Sequence, residues 1–146
     1  MSIEENKAIA QRIYDDVWSK GDVQAAREIF APNFKRVGPE GSPQTSSVDE
    51  LIAAFILPSR SAFPDFTSTV EVMVAEGDMV AVRSLNRGTH RGEWAGIPAT
   101  GRTISFQAVD FLRISGGKIQ EVFGLYDVGP IFRQLGVEYG PAAGGE

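Results

Sequence analysis

The chain predicts an α+β fold, with helices laid on one face of a strongly bent sheet, and three observations lead there. Apolar residues recur at helical spacing through the first third of the chain, and from Phe66 onward the period changes to two. The strands in that second region are joined by short turns containing glycine, so they pair as hairpins. Helices followed by antiparallel strands imply separate layers, and a bent sheet wrapping the helices would leave a cavity at its open end. With 146 residues and 42% hydrophobic content, the chain is sized for one domain with its own core.

Ile9, Ile13, Val17 and Trp18, with Ala8, Ala10 and Tyr14 between them, mark one face of a first helix from Ile3 to Ser19. Gly21 stops it, and Asp22 is placed to cap a second helix from Val23 to Phe30 that ends before Pro32. Phe34 to Val37 reads as a short strand and Gly38 to Ser46 as a loop. Ser47 and Glu50 form a capping box for a third helix reaching about Ala62, which Pro58 is expected to kink or end early.

Phe66, Ser68, Val70, Val72 and Val74 then alternate along one face of a strand, and Gly77-Asp78 turns the chain into a second strand from Met79 to Gly88. A further hairpin pairs Thr103 to Ile114 with Ile119 to Tyr126. Asp127 is placed to cap a short helix from Val128 to Leu135, closed by Gly136. No repeat or linker divides the chain, so residues 1–136 are expected to form one domain and residues 137–146 a flexible tail.

The inventory narrows the chemistry. The net charge is −5 and Lys and Arg are nowhere concentrated, which argues against a nucleic-acid partner. No apolar run approaches the roughly 20 residues of a membrane span, and Met1 to Glu5 lacks the pattern of a signal peptide. A cytoplasmic protein with no membrane partner is expected. Zero cysteines exclude disulfides and thiol nucleophiles, and the single histidine, His90, leaves no His pair, so no metal is expected.

Asp110 lies in the otherwise apolar run Phe106 to Leu112. In a desolvated pocket its pKa would rise and suit it to general acid/base work. The competing role is a structural Asp paired with Arg36 or Arg83. His90 titrates near neutrality without help and is a second candidate for proton relay, although a fixed hydrogen bond in its loop competes with that role. Asp127 is better explained as a cap than as an acid. Tyr14, Trp18, Phe63 and Tyr126 are the aromatics expected to line an apolar pocket, Tyr126 because it shares strand parity with Gly124.

The strings Phe63-Pro64-Asp65, Val74 to Arg83, Gly88-Thr89-His90-Arg91-Gly92, Gly96 to Arg102, Phe111-Leu112-Arg113, Gly117-Lys118-Ile119 and Arg133-Gln134-Leu135-Gly136, with Asp127, resemble those of SnoaL-like polyketide cyclases in the NTF2-like superfamily. The resemblance implies a cone in which a strongly curved mixed sheet wraps three N-terminal helices around an internal pocket. It also implies a homodimer through the sheet and a small hydrophobic ligand, with neither metal nor organic cofactor. Cyclases of this kind close a ring by an intramolecular aldol step using a pocket carboxylate. Their main carboxylate lies three residues before the position of Asp127, where this chain has Gly124, and Asp110 occupies the partner position on the preceding strand.

The resemblance therefore implies a cofactor-independent cyclase or isomerase acting on a polyketide-like carbonyl compound, with Asp110 moving the proton. Arg36 matches a pocket polar residue suited to a carbonyl or carboxylate. Gly124 is expected to enlarge the cavity and let a substrate approach the backbone. A non-catalytic small-molecule-binding protein is the alternative, and an epoxide hydrolase the third reading, since one scaffold hosts many functions.

Overall fold

The structure is a computed structural model that describes residues 2–41 and 43–138. The first helix, α1, is α-helical over Ile3–Arg12 and widens to a π-helix over Ile13–Trp18. Ser2 and Glu5 close a capping box at its start, each backbone amide meeting the other's side chain at 2.9 and 3.0 Å. The widened part buries Ile13, Tyr14 and Val17 together. Asp22 caps α2 (Val23–Ile29) by accepting from the Ala25 amide at 3.0 Å, as its sequence position predicts.

α2 ends one residue earlier than expected, and Phe30 already opens strand β1 (Phe30–Val37). Pro32 therefore lies inside a strand. It is tolerated because the pairing of β1 with β6 (Lys118–Tyr126) is irregular between Phe30 and Lys35, where no regular ladder asks for its missing N–H. The expected loop contains a short strand β2 (Pro43–Thr45), which pairs with the end of β1 at Arg36.

The third helix, α3, runs from Val48–Leu51 through a π-helical segment, Ile52–Ile56, into Leu57–Ala62. Pro58 does not shorten it. Proline stands in the first turn of the last α-helical segment, after the widened turn has already shifted the hydrogen-bond pattern that it would break.

β3 (Thr67–Glu76), β4 (Met79–Thr89), β5 (Thr103–Ser115) and β6 complete a six-stranded curved, open sheet in the order β2-β1-β6-β5-β4-β3. The β1–β6 pair is parallel and the others are antiparallel, so the sheet is mixed. One expectation for β3 fails. A bulge between Val70 and Val72 moves the second half of the strand to the opposite parity, so Met73 and Ala75 pack inward while Val72 and Val74 are 41% and 58% exposed.

Two apolar clusters build the interior. The larger joins α1 and α2 to the inner sheet positions Val80, Val82, Leu112 and Ile114. The smaller gathers Ala62, Phe63, Phe66, Ile104, Ile131 and Leu135 toward the open end. Trp18 packs against both.

The final helix, α4 (Gly129–Gln134), starts one residue later than expected, so Val128 and not Asp127 is its N-cap residue; Asp127, one position earlier, accepts from the Gly129 amide at 2.9 Å. Gln134 then bonds the Ser105 amide and carbonyl at 2.8 and 2.9 Å, fastening the helix to β5. Val137 still packs against the smaller cluster, and residues 139–146 of the expected tail lie outside the described residues. No helix among the described residues is long and apolar enough to cross a membrane.

Candidate active site

Between the helices and the inner face of the sheet lies a cavity of about 110 Å³ that opens to solvent. Six residues singled out from the sequence meet there: Tyr14, Trp18, Arg36, Phe63, Asp110 and Tyr126. His90 and Gly124 do not line it.

Asp110 is delivered by strand parity. It faces inward on β5 between Val82 of β4 and Gly124 of β6, and it is only 8% exposed. The Tyr14 hydroxyl donates to its Oδ2 at 2.8 Å, reaching in from the π-helical part of α1. Arg36 Nη1 stands 4.0 Å from Oδ1, a loose ion pair. Burial pushes the Asp110 carboxyl above the ordinary range, and the Arg36 charge and the Tyr14 hydrogen bond partly oppose that rise. Tyr14 is raised well above its ordinary value by burial first and then by the neighbouring Asp110, so it remains a hydrogen-bond donor at physiological pH.

Arg36 holds both roles weighed for it: it pairs with Asp110 and it lines the cavity. Its guanidinium lies 5.8 Å from the Phe55 ring centroid, and its Nε is buried with no partner among the described residues. Arg83, the other candidate partner for Asp110, instead pairs with Glu71 at 3.3 Å.

Gly124 corrects an expectation. A Cβ at this position would lie 2.5 Å from Arg36 Nη2 and 2.8 Å from Asp110 Oδ1. The missing side chain therefore makes room for the guanidinium beside the carboxylate, and it does not open the backbone to a ligand. Arg36 lines the cavity where the sequence suggested an opening at Gly124.

His90 is placed away from the acid, as an anchor of the loop between β4 and β5. It is 0% exposed, and the Thr100 amide donates to its Nδ1 at 3.2 Å, which leaves the ring proton on Nε2, buried and without a partner among the described residues. Its backbone amide bonds Arg102, its carbonyl accepts from Gly101, and its ring lies 5.4 Å from that of Phe63. The same loop is tied to the end of α3 by Arg91 and Gly92, whose amides donate to the Ala62 carbonyl. Asp65 binds the Thr89 amide and hydroxyl, both at 2.7 Å, and the hydroxyl bond above all holds its carboxyl below the ordinary range.

The sequence reading missed several wall residues. Phe66 and Ile131 extend the apolar lining beside Trp94 and Phe106, while Ser68, Ser84 and Asn86 form a polar strip on β3 and β4. Strand parity could have found the strip, because Ser84 and Asn86 share the inward face with Val80 and Val82. Among the described residues no group of three or more His, Asp or Glu side chains could hold a metal ion.

The family model for SnoaL-like polyketide cyclase matches residues 8–135. No curated protein matches the chain. Among solved structures, AclR of Streptomyces galilaeus, a proposed hydroxylase, is 29% identical with a TM-score of 0.82, over 92% of this chain and 98% of its own. IdmH of Streptomyces antibioticus, a proposed polyketide cyclase, is 30% identical with a TM-score of 0.78, over 90% and 99%. A protein of Catenulispora acidiphila with the ketosteroid isomerase-like fold aligns at 15% identity and a TM-score of 0.73, over 89% and 93%, and speaks for the fold alone.

Proposed function

Because the chain belongs to the SnoaL-like polyketide cyclase family, we propose that it is a cyclase or isomerase that moves a proton on a polyketide-like carbonyl substrate with Asp110 as general acid/base. The observation that carries the reading is one buried carboxyl in the wall of an aromatic cavity, held between a phenol that stays protonated and a guanidinium with an unused Nε. Asp110 takes a proton from a carbon beside a carbonyl, and Arg36 offers its N–H groups to the enolate oxygen. For ring closure the enolate carbon forms a bond to a second carbonyl carbon of the same molecule, and Asp110 returns the proton to the new alkoxide. For isomerisation the proton returns to a different carbon. The aromatic walls hold the reacting carbons close, which supplies several kcal/mol of the rate enhancement.

The test follows the proton. 1-(2-Naphthyl)propan-2-one is incubated with the protein in D₂O, and loss of its methylene signal is followed by NMR. Exchange above the buffer rate is expected, with Asp110→Asn slower by at least about 100-fold. An unchanged rate in that variant would remove Asp110 from the mechanism. A second reading, a non-catalytic binding protein, draws on the Arg36 charge beside Asp110. Uptake of the ketone with no exchange in either protein favours it.

We also propose that the protein pairs with a second copy through the outer face of the sheet. Val72, Val109 and Leu125 form one exposed row there, and Val74, Phe111 and Phe123 the next. An antiparallel sheet face turned to water is usually polar. The nearby charges are paired, Arg83 with Glu71 and Arg113 with both Asp78 and Glu121, so they flank the six apolar side chains without a concentrated charge of either sign. Light scattering is expected to give twice the chain mass, and Phe111→Glu the mass of one chain.

A further inference from the structure

We infer that Ser68, Ser84 and Asn86 form a second subsite in the cavity, one that recognises a hydroxyl group of the ligand at a distance from Asp110. The inference rests on the cavity holding a small molecule, as proposed above, and it does not need Asp110 to be catalytic.

Three polar side chains stand on one strip of an otherwise aromatic wall. Ser68 faces Asn86 across β3 and β4, and Ser84 is the next inward residue along β4. All three line the cavity and are no more than 5% exposed. Ser68 Oγ is buried with no hydrogen-bond partner among the described residues, a costly state for a hydroxyl unless something in the cavity completes it.

The Asn86 amide nitrogen is occupied. It donates to the Ser84 carbonyl at 3.4 Å, to Ser84 Oγ at 3.2 Å and to the Phe106 carbonyl at 3.5 Å. Those acceptors fix the orientation of the amide, and they leave its Oδ1 as an acceptor without a protein partner among the described residues. Ser84 Oγ accepts from Asn86, so its own proton is free to be donated. The strip thus presents an acceptor, Asn86 Oδ1, beside two hydroxyl donors. A ligand hydroxyl, which donates once and accepts once, matches that set, whereas a ketone oxygen would leave Asn86 Oδ1 unpaired.

The strip is set apart from the acid. Asp110 faces Val82, and Ser84 and Asn86 are one and two inward positions further along β4. At strand rise the separations are roughly 7 and 14 Å, the scale of one or two fused six-membered rings. The ligand class that satisfies both ends is a hydroxylated or phenolic ring compound whose hydroxyl lies a ring or two away from the carbon that meets Asp110.

The probes are 2-naphthol and 2-methylnaphthalene, which share a shape and differ in the hydroxyl, titrated into ¹⁵N-labelled protein with amide shifts recorded. The expected result is about tenfold tighter binding of 2-naphthol, with the Asn86 side-chain signal moving. In Ser68→Ala and, separately, Ser84→Ala, the preference falls to within about threefold, while Asp110→Asn retains it. Ser68→Ala should fold as the parent does, since its Oγ has no protein partner to lose. Equal affinities in the parent protein overturn the inference and leave water as the partner of Ser68. A preference lost in Asp110→Asn but kept in both serine variants also overturns it, by moving the hydroxyl to the acid. Each of these failures leaves the ketone exchange assay intact, whereas failure of both probes to bind removes the small-molecule cavity and this subsite together.

Discussion

Tyr14 and Asp110, 96 residues apart in sequence, share a 2.8 Å hydrogen bond that closes the cavity between the first helix and the fifth strand. The bond is directional in its chemistry. Tyr14 keeps its proton, so it supports the charged form of Asp110, yet burial outweighs that support and the carboxyl remains raised.

Stability should record this imbalance. A raised carboxyl contributes stability in full below its unfolded pKa, and the contribution is lost as pH rises through the raised folded value, because the folded state holds the proton longer. Asp110→Asn has no such loss. Its stability relative to the parent is therefore expected to increase from the ordinary value of 3.8 upward and to level off once the folded carboxyl has ionised. Urea unfolding of both proteins at several pH values checks this. A difference that shrinks as pH rises would mean that Arg36 and Tyr14, and not burial, dominate.

Tyr14→Phe removes the donor and leaves the ring. The Asp110 carboxyl should then rise further, since one of the two influences holding it down is gone. A carbon-13 titration of the carboxyl reads the change directly. If the carboxylate is the base, the acid limb of ketone exchange moves to higher pH, with a loss of roughly tenfold below the new value and recovery above it. A loss that is constant with pH would make Tyr14 a contact of the substrate and not a partner of the acid.

Much of this was legible in the sequence, for reasons that differ from residue to residue. The caps at Asp22 and Ser47 were visible because a local hydrogen bond is written in adjacent residues. Asp110 stood out because an acid in an apolar strand is costly without purpose. The β3 bulge was not visible, since Val70, Val72 and Val74 are equally apolar whichever way they face. The polar strip escaped because Ser68, Ser84 and Asn86, although in phase with Phe66, Val80 and Val82, are residue types that mostly face water. The part played by Gly124 required knowing that Arg36, far away in sequence but on the strand paired with β6, reaches into the volume that a side chain there would fill.

Two glycines with similarly crowded surroundings should respond differently to alanine. At Gly124 the new Cβ meets the end of the flexible Arg36 side chain, which can swing aside. Gly124→Ala is expected to cost about 1–2 kcal/mol and to raise the Asp110 carboxyl further by moving the guanidinium away. At Gly92 the Cβ would come within 2.4 Å of the Ser61 carbonyl, which is backbone and fixed by the end of α3. Gly92→Ala is expected to cost about 3 kcal/mol or more without altering the Asp110 titration. Denaturant unfolding and the carbon-13 titration separate the two.

The last expectation concerns His90. Its Nδ1 accepts from the Thr100 amide and lies 3.0 Å from Thr100 Oγ1, so the ring is a fixed post for the β4–β5 loop, which also carries Trp94 into the cavity wall. Thr100→Val removes the hydroxyl contact and keeps the size of the side chain. Faster hydrogen exchange is expected at the Gly101 amide, which bonds the His90 carbonyl. Ketone exchange at saturating substrate should stay within about threefold of the parent, because the imidazole does not line the cavity, while weaker binding follows if Trp94 loosens. A large fall in the saturated rate with unchanged loop protection would instead return His90 to the proton path that its chemistry first suggested.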